Sequence, residues 1–328
     1  MPTTKRPRRV TIDDVATAAG VSRQTVSRAI NDKAEIDPET RTRVLRIAAE
    51  MGYRPSRFAR QMVRQDTTTL GLIIADVLNP FFPEVVAGVL EAADARGWQV
   101  VVYATGSALD KERAVAEALA DQVDACVGFV LHEEVIPRIG VPFVLLDRRG
   151  RAARVPGVDI DFADGIRQGM DHLTDRGHTR IAMIDDEIHH RSGAPNARRE
   201  AYTSYLSARG LPAHVQLADN SVRGGADAMD ALLSAFPGVT AVFGYNDLIA
   251  IGAMRRAMRR GLRVPDDCAF LGFDGLTLGE LVDPELTTVH IDKHRFGQLA
   301  VEQIATVMTG GAVTPQLVRP TLVTRLST

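Results

Sequence analysis

The chain is poor in the residues that build covalently or metal-held scaffolds. Of its 328 residues two are cysteine and one is tryptophan, and aromatic residues make up 5%. Cys126 and Cys268 lie far apart, each inside an apolar run (DACVGFV and DDCAFLGF). They read as packed thiols, not as a disulfide, and no Cys pair stands at zinc-ligand spacing. No apolar run is long enough to span a membrane, and the Arg-rich N-terminus lacks the apolar stretch of a secretory signal, so the chain reads as cytoplasmic. A nucleophile elbow, a P-loop and a GxGxxG after the first strand are all missing, which argues against an enzyme. One run, Asp185-Asp186-Glu187 followed by His189 and His190, carries metal-binding side chains. Sequential polar residues rarely converge on one point, so this run reads as a solvated loop at a cleft rim, and neither metal nor cofactor is expected.

What the sequence does hold is a split of charge. The formal net charge is −2, but residues 1–64 carry 14 Lys and Arg against 7 Asp and Glu, and the remainder 25 against 34. A basic head on an acidic body points to a polyanion partner for the head alone. Three short helices fit the head. Thr11 caps the first, Asp14 completes a capping box and Gly20 stops it. Ser22 caps the second, with Val26, Ala29 and Ile30 turned inward. Asp37-Pro38-Glu39 starts the third, whose core side is Val44, Leu45, Ile47, Ala48 and Met51. The sharp turn between the first two makes a helix-turn-helix. After it, Ser56 can cap a short helix from Arg57 to Val63, which is too short to stand alone in water.

From Leu70 the pattern changes to apolar runs suited to buried strands: LGLIIAD, QVVVYAT, ACVGFVL, FVLLD, RIAMID, AVFGY and AFLGFD. Amphipathic helical stretches separate most of them, for example Pro83–Arg96, Ala163–Arg176, Arg198–Arg209 and Asp247–Arg260. This alternation predicts parallel α/β sheets covered on both faces, and the length calls for two doubly wound lobes.

The motifs in order, from "TIDDVATAAGVSRQTVSRAIN" through "LGLIIADVLNPFFPEVVAGV", "DHLTDRGHTRIAMI", "NDLIAIGAM" and "FLGFDG" to "PELTTVHID", resemble the LacI/GalR family of bacterial repressors along nearly the whole chain. The resemblance implies a DNA-reading head, a hinge helix and a two-lobed body like that of periplasmic sugar-binding proteins, with a small effector between the lobes. The expected division is a head over 1–55, a hinge and linker over 56–69, and a body over 70–328. The body's lobes would comprise about 70–160 plus 292–320, and about 161–291 plus 321–328.

The residues support that reading on their own chemistry. Arg23 and Gln24 are the first exposed side chains after the cap and Arg28 lies one turn on. Arg suits guanine and Gln adenine. Thr25, Ser27 and Asn31 suit phosphates. By resemblance Arg23, Gln24 and Arg28 fall on base-reading positions. The full DNA-contacting set is these residues with Thr11 and Ser22, plus Arg57, Ala59 and Met62 of the hinge. Met62 stands where the family's minor-groove wedge is usually Leu. The partner would be a near-palindromic operator bound by a homodimer, without a coiled-coil tetramer tail.

For the effector, ligands in open α/β sheets bind beyond the C-terminal strand ends. Polar residues placed there are Asp76–Asn79, His132, Asp147, Arg148, Asn246, Asp247 and Asp274. By resemblance Phe81, Phe82, Asp147, Arg198, Asn246 and Asp274 fall on effector positions. Aromatic rings with Asp, Asn and Arg suit a polyhydroxylated ligand such as a sugar. The connection 132–142 is close to the shortest that can join parallel strands. Lys293, just after a lobe crossover, would place a cation near the ligand and favour an acidic or phosphorylated one. The competing reading is a cytoplasmic small-molecule sensor that does not repress a specific operator.

Overall fold

The computed structural model describes residues 11–30, 36–51, 67–148 and 155–328. Asn31, Arg57, Ala59, Met62 and the expected hinge helix lie outside them.

The head's three helices begin where their caps dictate. Helix α1 (Ile12–Ala19) has the full capping box: the Thr11 side chain accepts from the Asp14 amide, and the Asp14 carboxylate accepts from the Thr11 amide. Gly20 ends it at φ 64°, a left-handed conformation that costs glycine nothing. Ser22 Oγ accepts from the Thr25 amide to open α2 (Arg23–Ile30), and Asp37 caps α3 (Pro38–Glu50) through the Thr40 amide. Val15, Ala16, Ala19, Val26, Ala29, Val44 and Ala48 close a small core. Leu45, expected in it, is exposed.

The body holds two six-stranded sheets. The first is built from β1 (Thr69–Ile74), β2 (Gln99–Ala104), β3 (Ala125–Gly128), β4 (Phe143–Leu146), β5 (Gly157–Ile160) and β11 (Gln316–Val318). Their order is β11-β5-β4-β3-β1-β2, with every pair parallel. The second contains β6 (Ile181–Asp186), β7 (His214–Ala218), β8 (Ala241–Gly244), β9 (Ala269–Asp274), β10 (Thr287–His290) and β12 (Thr321–Val323). Its order is β12-β10-β9-β8-β6-β7, and only β12 runs antiparallel. The chain therefore crosses between sheets three times, after β5, after β10 and after β11.

Helices cover both faces. On the first sheet α4 (Phe81–Asp94) and α11 (Lys293–Met308) share one face, with α5 (Leu109–Gln122) on the other. The alternation within β1 shows why its run is continuously apolar. Leu70, Leu72 and Ile74 pack with α4, and Ile73 packs with Leu119 of α5. On the second sheet α6 (Phe162–Asp175) and α8 (Ala197–Ser207) face α9 (Val222–Ala235) and α10 (Asp247–Arg259) across the strands. Each lobe draws one helix pair close through glycine. A Cβ on Gly88 would overlap the His294 carbonyl, and one on Gly252 the Val222 carbonyl.

Both thiols are buried and free, and burial pushes Cys268 up to about 12, so neither is a reactive group. One further expectation needs correction. The run QVVVYAT is an edge strand with Val101 and Val102 exposed, not a buried one. The 132–142 connection is a single 3₁₀ helix, Glu133–Arg138, which shows how so short a link still joins two neighbouring parallel strands.

Candidate functional site

The C-terminal ends of the two parallel sheets face one another across a cavity of about 280 Å³. From the first lobe, Asp76 follows β1, Gly106 and Ser107 follow β2, Leu131 follows β3 and Asp147 follows β4, while Phe81 and Phe82 stand at the start of α4. From the second, Asp186 ends β6, Asp219 and Asn220 follow β7, Tyr245 and Asn246 follow β8, and Asp274 ends β9. Position beyond the strand ends, not sequence proximity, assembles the cleft.

One wall is aromatic. Phe81, Phe82 and Phe129 pack edge to face, with centroids 5.2–6.0 Å apart. The opposite wall is polar and centres on Arg198. This side chain is buried, its Nη2 donates to Asp274 Oδ1 at 2.9 Å and its Nη1 to the Tyr245 carbonyl. The guanidinium lies 4.7 Å from the Phe162 ring centroid, 4.3 Å from that of Tyr245 and 4.4 Å from that of Phe273. Burial opposes its charge, but Asp274, then Tyr245 and Asp147, outweigh burial and raise its pKa. Its Nε is buried without a hydrogen-bond partner among the described residues.

Asp274 is raised, chiefly by burial, with Arg198 and Lys293 pulling back. Its backbone sits at φ 106° and that of Asp147 at φ 58°, so both cleft carboxylates occupy left-handed positions that strain an ordinary residue. Asn246 caps α10 through the Ile249 amide and donates to Asn220 Oδ1 at 2.7 Å. Beneath it, Asp247 is fully buried and accepts from Thr288 Oγ1 and the Leu276 amide at 2.6 Å. Burial, then the Asp274 charge, raise it to about 7.

Of the residues singled out in the sequence, Asp76, Asn79, Phe81, Phe82, Asp147, Arg198, Asn246 and Asp274 line the cleft. His132, Arg148 and Lys293 are not among the lining residues. His132 Nδ1 lies 3.0 Å from the buried Glu112 carboxylate, and Arg148 forks onto Asp159. The Lys293 ammonium is buried and donates to the carbonyls of Asp274 (2.7 Å), Gly275 (3.2 Å) and Ile291 (3.3 Å), with Glu84 at 3.2 Å. It does not offer a cation to the ligand.

The acidic run 185–190 is also not a solvated loop. Asp185 is buried, accepts from Asn196 and pairs with Arg199; Asp186 caps a short helix, α7 (Glu187–Ser192); and His189 Nε2 lies 3.0 Å from the Tyr245 hydroxyl. Asp186, Glu187 and His189 line the cleft, as do Asp219 and Asn220, which the sequence does not single out because β7 is an edge strand with a weak apolar pattern. The pair "DN" directly after "HVQLA" was the available signal.

In the head, α2 exposes Arg23, Gln24 and Arg28 on the side away from Val26 and Ala29, with Thr25 and Ser27 half-buried. Arg23 lies 3.8 Å from Asp13 with both side chains solvated, a contact too weak to hold it. Thr11 and Ser22 both serve as caps while remaining exposed.

Comparison with known proteins places this arrangement. The model of bacterial regulatory proteins of the lacI family matches residues 11–56, and that of the periplasmic binding protein-like domain matches 170–328. The HTH-type transcriptional regulator CelR of Thermobifida fusca is 34% identical over 329 residues, covering 95% of this chain and 95% of CelR. Among solved structures, the CelR–cellobiose complex superposes with a TM-score of 0.71 at 31% identity, over 98% of this chain and 100% of that one. The lac repressor dimer bound to operator and the anti-inducer ONPF gives 0.73 at 28% identity, over 98% and 99%. From its helix-turn-helix head to the cleft between its lobes, this chain belongs to the LacI family of bacterial regulatory proteins.

Proposed function

We propose that the chain is a transcriptional repressor that binds a near-palindromic operator as a homodimer, and that a neutral saccharide in the cleft sets its affinity for that operator. The observation that carries the reading is Arg198. Its guanidinium lines the cleft, held by Asp274 and the Tyr245 carbonyl, and so sets a fixed polar group opposite the aromatic wall. The aromatic wall of Phe81, Phe82 and Phe129 gives an apolar sugar face its partner, and Asp147, Asn220 and Asn246 supply hydroxyl partners.

Charge argues for neutrality. Asp76, Asp147, Asp186, Glu187, Asp219 and Asp274 line the cleft against Arg191 and Arg198, and Arg198 already serves Asp274. With Lys293 turned onto backbone carbonyls, the case for a phosphorylated ligand loses its support. Self-association has apolar surface to cover: Leu90 on α4 and Val101 and Val102 on edge strand β2 are exposed.

A thermal-shift series with neutral mono- and disaccharides, sugar phosphates and nucleosides tests the ligand. A bound ligand at 100 times its Kd stabilises by about 2.7 kcal/mol. Stabilisation by neutral saccharides is expected; stabilisation by phosphates alone would overturn the neutral assignment. For the homodimer, sedimentation of the full chain should give twice the monomer mass.

A further inference from the structure

Lys293 is a fully buried lysine that the cleft does not use. It sits at the first position of α11, in the first lobe, immediately after the chain returns from β10 in the second. Burying an ammonium costs several kcal/mol unless it is paired and hydrogen-bonded. Here the partners come from both sides of the crossover. The carbonyls of Asp274 and Gly275 belong to the turn that ends β9 in the second lobe, Ile291 lies in the crossing segment, and Glu84 lies in the first turn of α4 in the first lobe.

The turn it grips is strained. Asp274 stands at φ 106° and Gly275 at φ 68°, and consecutive left-handed residues turn their carbonyls off the strand direction. Gly275 can be nothing larger, because a Cβ there would overlap the His290 ring. A strained turn persists only where its surroundings over-determine it. Two neighbours accept from this one: the Gly275 amide donates to Thr288 Oγ1 at 3.2 Å and the Leu276 amide to the Asp247 carboxylate at 2.6 Å. Those bonds hold the amides. Lys293 is the side-chain donor that holds both carbonyls, with the Ile291 amide reaching the Asp274 carbonyl at 3.4 Å, and the Asp274 side chain that emerges from this turn pairs with Arg198.

We infer that Lys293 is a positioning residue for the effector cleft, holding the Asp274–Gly275 turn in the shape that presents Asp274 to Arg198. Through Glu84 it ties that turn to the first turn of α4, which carries Phe81 and Phe82. The polar wall of one lobe and the aromatic wall of the other thus share a single buried cation, and a change in lobe angle must alter its contacts. The part of this inference that concerns the ligand rests on the saccharide reading; the part that concerns the turn does not.

Amide hydrogen exchange on the full chain without ligand tests the turn. Lys293→Met keeps the length of the side chain and removes its charge. Exchange at Gly275 and Leu276 is expected to rise tenfold or more while the β8 amides stay within twofold of the parent. Glu84→Gln, at a half-exposed position that does not threaten folding, keeps the carbonyl bonds and removes the counter-charge. It is expected to raise exchange at the same two amides by a smaller factor, and it carries the test if the Lys293 variant fails to fold. Unchanged exchange at the turn, or an equal rise at every amide of the second lobe, would overturn the inference. Cellobiose then serves as the ligand probe. If the parent binds it, Lys293→Met should weaken binding at least tenfold, and unchanged affinity counts against the positioning role. If the parent does not bind any saccharide, the saccharide reading fails while the exchange result still decides the role of Lys293.

Discussion

Replacing Arg198 by alanine removes the centre of the cleft. The parent side chain neutralises Asp274, bonds the Tyr245 carbonyl and fills the space between three rings. Deleting one partner of a buried ion pair leaves the other charged, desolvated and uncompensated, a loss of about 3–5 kcal/mol. The ring contacts share that same desolvation and are not added to it. The expected outcome is a drop of about 3–5 kcal/mol in unfolding free energy at pH 7 by urea titration. The deficit should shrink as the pH falls, because Asp274, already raised by burial, takes up a proton more readily once Arg198 is gone. Asp274→Asn and the double variant complete a cycle: with Arg198 absent, losing the Asp274 charge should cost little, giving a coupling of about 3 kcal/mol. A loss below about 1 kcal/mol, or strictly additive losses, would refute the view of Arg198 and Asp274 as one buried unit.

Other outcomes follow from the same structure. Asp247 is raised from 3.8 to about 7 by burial and then by Asp274, so the folded state keeps a proton that the unfolded chain has released. The stability this group contributes is complete below about pH 4 and is lost as pH rises through 7, a fall of up to about 4 kcal/mol. In Asp247→Asn the difference in slope from the parent, measured by unfolding from pH 4 to 8, should account for that fall; equal slopes would contradict it. Gly252→Ala places a methyl group against the Val222 carbonyl and should cost about 1–3 kcal/mol by forcing α9 and α10 apart, seen as a lower thermal midpoint. Val44→Ala opens the small head core and should cost the head about 2–3 kcal/mol, abolishing operator binding while saccharide stabilisation of the body persists.

Local chemistry was legible in the sequence wherever one signal decides. The Thr11–Asp14 box, Gly20 and Asp37-Pro38 set the head helices within a residue. The buried parallel strands announced themselves as unbroken apolar runs because both faces are covered. The cleft was legible at β1, β4, β8 and β9, where a strand ends on Asp or Asn. It was not legible at β7, whose edge position removes the need for an apolar run, nor at Asp186, whose polar neighbours hid a buried strand end. The direction of Lys293 is not legible in the sequence, for a physical reason. Sequence position places its Cα beside the cleft, but which way an ammonium turns depends on carbonyls brought together from residues 274, 275 and 291 and on a carboxylate from residue 84. Val101 and Val102 are the converse case, since exposure of an apolar edge strand follows from sheet order and leaves no trace in composition.

The central claim joins the head to the cleft, and one measurement bears on both. Duplexes selected from a random pool by the full chain are titrated by fluorescence anisotropy, with and without the stabilising saccharide, for the parent and for Arg198→Ala. The account predicts a near-palindromic duplex whose preferred bases change when Arg23 or Gln24 is exchanged. It also predicts that the saccharide shifts operator affinity at least tenfold in the parent and leaves Arg198→Ala unmoved. No enriched near-palindrome, or a parent affinity indifferent to every saccharide that binds the cleft, would contradict it.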